Sequence, residues 1–111
     1  MTREVPEADW KVFRQLRDRA LERFAEQILG EVAGICVDQI HPPHERYLEV
    51  WRVLREHDMA MAGAFDHLSR SRMFTHLAPM KALGLVDAAD LSRMSTETQE
   101  RIRVLTEQSR R

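Results

Sequence analysis

The chain has 111 residues, 43% hydrophobic and 32% charged, a balance that suits a folded domain with its own core rather than a disordered segment. Seventeen Lys and Arg stand against eighteen Asp and Glu, so a net charge of -1 excludes any global attraction to nucleic acid or anionic lipid. The lone cysteine, Cys36, excludes an internal disulfide, and no run approaches the ~18 apolar residues of a membrane span.

The N-terminus is polar and lacks an apolar signal core, so the expected compartment is the cytoplasm. Four Gly and four Pro leave little room for a turn-rich β fold. Leu, Ala, Glu and Arg dominate, and all four favour helix. The expectation is one all-α domain over residues 1–111: a long antiparallel helical hairpin plus shorter C-terminal helices that form a small bundle.

The first helix is expected from Pro6 or Asp9, with Glu7 and Asp9 in the first turn where they favour the dipole. Its apolar face reads Trp10, Phe13, Ala20, Phe24, Ile28, Val32 and Ile35, widened by Leu16, Leu21 and Leu29. Gly30 and Gly34 weaken it by roughly 1 kcal/mol each, or admit another helix at close range. The helix is carried to about Val37. Cys36, between Ile35 and Val37, is expected to be a small buried hydrophobe.

Residues 38–43 end in Pro42-Pro43, which cannot continue one helix but can open the next. The second helix is expected from Pro43 to about Ser69, antiparallel to the first because the loop is short. It carries Tyr47, Trp51, Leu54, Asp58, Met61, Phe65 and Leu68 at heptad spacing. The large side chains of this seam are expected in the core. Asp58 interrupts it, and a charge on an apolar stripe needs a partner or water.

Ser69-Arg70-Ser71 turns the chain. A third helix is expected over residues 72–83, kinked or interrupted by Pro79 and stopped by Gly84, with Leu85 supplying the contact beyond it. Asp87 caps a short helix through Met94. Thr96 with Gln99 reads as a capping box, with Ser95 as the alternative cap, for a last helix to Gln108.

The chemistry-bearing residues are sparse. Asp58, with Arg55, His57 and Tyr47, is the candidate ligand-binding group: an acid with basic and aromatic neighbours on one helix. Arg70, Arg72 and Lys81 form a basic segment without an acid. The five histidines have no H-E-x-x-H, no Cys cluster and no Glu three residues upstream, so neither metal nor any other cofactor is expected. Residues 77–94 resemble a helix-turn-helix only in outline. Met80 replaces the small residue usual four before the turn glycine, and Asp90 and Arg93 occupy positions that want apolar side chains. Helical chorismate mutases are similar in size and class, but their first-helix motif does not align.

No phosphate loop, no G-x-S-x-G and no recognisable Cys–His motif stands in the sequence, so no catalytic residue is assigned. The expected function is a small non-catalytic interaction or regulatory module that self-associates or binds another protein. The alternative is a ligand-binding or catalytic bundle using Asp58. Third comes a DNA-associated regulator working through residues 70–81.

Overall fold

The computed structural model describes residues 5–109, so the polar start at Met1–Glu4 lies outside the described residues. Five helices follow in order: α1 (Glu7–Cys36), α2 (Pro43–Phe65), α3 (Met73–Ala82), α4 (Ala88–Leu91) and α5 (Thr96–Ser109). A 3-10 turn, Arg70–Arg72, precedes α3. No strand occurs among the described residues, and the expected all-α bundle with its long α1–α2 hairpin is the architecture found.

The hairpin turn is built locally. Pro43 takes the first position of α2, where its missing amide costs nothing, after an extended Pro42 at φ -68°. Asp38 accepts from the Ile40 amide at 2.7 Å and holds the His41 ring at 2.5 Å, which raises the His41 pKa. Arg46 donates back to the Cys36 carbonyl at 2.7 Å, satisfying an acceptor at the end of α1.

The core occupies one end of the hairpin. Phe13, Leu16, Ala20, Phe24 and Ile28 of α1 pack with Val53, Ala64 and Phe65 of α2, and Met73, Leu77 and Met80 of α3. Leu85, Val86, Leu91, Met94 and Ile102 complete it. Helix α3 stops in a Schellman motif. Gly84 takes φ 73°, its amide donates to Lys81 at 3.0 Å, and the Leu85 amide donates to Met80 at 2.9 Å. Leu85 and Met80 are both fully buried, which is the apolar contact that motif carries.

Two polar ties lock the C-terminal helices to α1. Asp9 accepts from the Ser95 amide at 2.8 Å, the Ser95 hydroxyl at 2.7 Å and the Thr98 hydroxyl at 2.6 Å. Arg23 donates to Asp90 at 2.8 Å and to the Leu85 carbonyl at 2.7 Å. Asp87 and Asp90 form the capping box of α4, so Asp90 both caps a helix and anchors it.

Several expectations are corrected. Helix α2 ends at Phe65 rather than near Ser69, because Asp66 is extended and His67 adopts φ 56°. Helix α3 runs through Pro79 without interruption. Ser95 caps α5, accepting from the Thr98 amide at 3.3 Å, while Gln99 donates to the Met94 carbonyl, so no Thr96–Gln99 box forms. Cys36 is exposed, because α1 has left the core by that turn. Nothing lies within 4 Å of a side chain built at Gly30 or Gly34, so no helix approaches them closely.

The hairpin outruns its core. The molecule measures 57 × 24 × 24 Å with a radius of gyration of 16.8 Å, against about 13 Å for a compact chain of this length. The far half of α1 and α2 is a two-helix arm with nothing packed on its outer side among the described residues.

Candidate functional site

The residues that face solvent on this arm are the large ones. Val53 of α2 is fully buried against α1, and Ala60 and the His57 ring, half-buried, pack on the same side. The heptad seam points elsewhere. Tyr47 is 58% exposed, Trp51 52% and Leu54 44%. Met61 and Leu68 are half-buried, and only Phe65 reaches the core. The expectation that Trp51 and its seam neighbours fill the core is therefore corrected over the first half of α2. One helical neighbour can cover only one side of α2, and α1 covers the side with smaller side chains.

Leu29, expected on the inner face of α1, is 66% exposed. It joins Ala25, Ile28, Trp51, Leu54 and Met61 along an open groove between the two helices. A second concavity on the other flank of α2 is lined by Tyr47, Leu48, Trp51, Arg52, Arg55, Glu56 and Met59. Trp51 and Arg55 belong to both. Among the methionines, Met73 and Met80 are core, while Met59 is fully open on this surface. The signal for an exposed face was the heptad itself: a 3.5-residue repeat of large side chains suits a helix that meets another helix.

The structure brings Arg55, His57 and Asp58 together on the rim of the groove. Tyr47 lies nearer the hairpin turn and lines the second concavity, its ring stacked on His44 with centroids 6.4 Å apart. Asp58 is exposed, so water solvates it and no buried partner is needed. His57 lies within 2.9 Å of the Glu31 carboxylate of α1 and packs edge-on against Phe24. Arg52 bridges Glu49 and Glu56 along α2, which raises its own pKa and lowers that of Glu49. Arg55 and Asp58 have no hydrogen bond or ion pair with any described residue.

The three residues of the basic segment differ in their surroundings. Arg70 donates to the Val5 carbonyl at 2.9 Å and to Glu7 at 2.7 Å, tying the start of the chain to the 3-10 turn. Arg72 is exposed, and Lys81 is half-buried in the last turn of α3. His76 is buried, and its Nδ1–H donates to the Ala64 carbonyl at 3.1 Å. No group of three or more His, Cys, Asp or Glu is placed to hold a metal ion among the described residues. No helix is long and apolar enough to cross a membrane among the described residues.

The arrangement offers an apolar, aromatic surface flanked by charged side chains. Compared with protein-family models, curated proteins and solved structures, the chain matches none.

Proposed function

We propose that this protein is a non-catalytic helical interaction module whose working surface is the outer face of the α1–α2 arm, and that it self-associates through that face. One observation carries the reading. Leu29, Tyr47, Leu48, Trp51, Leu54 and Met59 are all exposed along one hairpin. Monomeric proteins rarely leave so many large apolar side chains contiguous and uncovered.

The surface area supports it. The chain exposes 7780 Å², whereas a compact 13.0 kDa monomer exposes about 6,300 Å². A standard interface removes about 800 Å² from each partner, which accounts for much of that surplus. The near-zero net charge places no long-range repulsion between copies.

A second reading, a small ligand in the groove, draws support from Arg55, His57 and Asp58 on its rim. The DNA-associated reading has less behind it, because the Arg70 guanidinium is committed to Val5 and Glu7.

Sedimentation at micromolar concentration tests the proposal. A mass above 13.0 kDa that rises with concentration is expected, together with a blue shift of Trp51 emission. A monomer at every concentration overturns self-association.

A further inference from the structure

We propose that a second copy docks on the arm with α2 antiparallel to α2, about a two-fold axis crossing the helix between Glu56 and His57, so that Arg55 of each copy meets Asp58 of the other. This rests on the self-association reading above and assigns its register.

The centre of the exposed face of α2 is the stripe Tyr47, Trp51, Arg55, Asp58 and Ala62, spaced by four, four, three and four residues. All five are exposed. Two of them are opposite charges, and neither has a partner among the described residues. Their charged neighbours do not: Arg52 holds Glu49 and Glu56, and His57 holds Glu31. An interface that buried Arg55 and Asp58 without pairing them would carry the full penalty of desolvating two charges. A second copy can supply both partners.

Geometry selects the direction. In a parallel, in-register pair of α2 helices, Arg55 faces Arg55 and Asp58 faces Asp58, which repel. In the antiparallel arrangement, Arg55 and Asp58 lie at equal distances on either side of the axis, so each faces the other twice. Trp51 and Ala62 are also equidistant from that axis. The same register therefore sets the indole of one copy against the alanine of the other, large against small, as close helix packing requires. Leu54, Met61 and the α1 groove with Leu29 flank the contact and exclude water from it. The two-fold uses the same patch on both copies, so the assembly closes as a dimer.

The test uses charge reversal in the full chain. Arg55→Asp alone places two carboxylates opposite each other, and Asp58→Arg alone places two guanidiniums opposite each other. Each variant, alone, should weaken dimerisation about a hundredfold by sedimentation. Mixed in equal amounts, the two variants regain complementary charges, and native mass spectrometry should show a one-to-one heterodimer in preference to either homodimer. Both residues are exposed, so circular dichroism and melting temperature verify that each variant folds. A wild-type chain that stays monomeric removes the self-association reading and this proposal with it. A wild-type dimer unmoved by either reversal, or variants that dissociate and do not recover on mixing, overturns the register while leaving self-association in place.

Discussion

The Asp9 carboxylate accepts the Thr98 hydroxyl at 2.6 Å, a bond between residues 89 positions apart that fastens α5 to the first turns of α1. The same carboxylate takes the Ser95 amide and hydroxyl, so one buried side chain satisfies three donors. Asp9→Ala should destabilise the fold by about 1–3 kcal/mol, because these donors then lack an acceptor. Urea unfolding measures it. A change within experimental error would show that α5 is held by apolar packing alone.

Arg23 and Asp90 make the second tie. Arg23→Met keeps much of the side-chain volume but leaves the buried Asp90 carboxylate with only the Asp87 amide at 3.0 Å and the Arg19 guanidinium at 3.8 Å. The Arg23 side chain is one-third exposed and screened by water, so the expected loss is about 1–2 kcal/mol, less than for a fully buried pair. Amide exchange should quicken in α4 before the rest of the molecule. Equal quickening throughout would mean that the bridge is not a local anchor.

These two carboxylates also set an acid limit. Burial pushes both Asp9 and Asp90 up, but hydrogen bonds from Thr98 and Ser95, and from Arg23 and the Asp87 amide, outweigh it and hold both below the ordinary 3.8. On unfolding they return to that value. Their contribution is therefore complete above the unfolded pKa and is lost as pH falls through the lower native values. The urea midpoint should begin to fall below about pH 5, and Asp9→Asn should flatten that fall. An unchanged acid limb in Asp9→Asn would sink the assignment.

Phe65 and Trp51 belong to one heptad seam but not to one environment. Phe65→Ala should cost about 3–5 kcal/mol, as for a buried aromatic. Trp51→Ala should leave the monomer's stability within about 0.5 kcal/mol, because the indole is already half in water. Denaturant midpoints measured at concentrations below any self-association compare the two directly. Similar losses for both would return Trp51 to the core.

The glycines separate strain from entropy. At Gly84, φ 73° makes alanine unfavourable by about 1–2 kcal/mol although nothing lies within 4 Å. At Gly30 and Gly34 the backbone is helical and the space open, so Ala should stabilise by about 0.5–1 kcal/mol at each. Thermal melts of the three variants should show opposite signs. A stabilised Gly84→Ala would contradict the left-handed cap.

Local signals were enough for much of the fold. Helix formers, the Pro42-Pro43 break, Gly84 after α3 and the Asp87 cap are short-range effects, each legible from a few neighbouring residues. The candidate site was legible only in composition: the seam from Tyr47 to Phe65 and the polar interruption at Asp58 stand in the sequence, but not which way they face. That was decided in three dimensions. α1 packs on the Val53, His57 and Ala64 side of α2, where smaller side chains allow approach, and among the described residues no further helix covers the Trp51 side. The periodicity of α2 states that two faces can be covered. How many helices are at hand, and how far α3 to α5 reach along the hairpin, determines which one is.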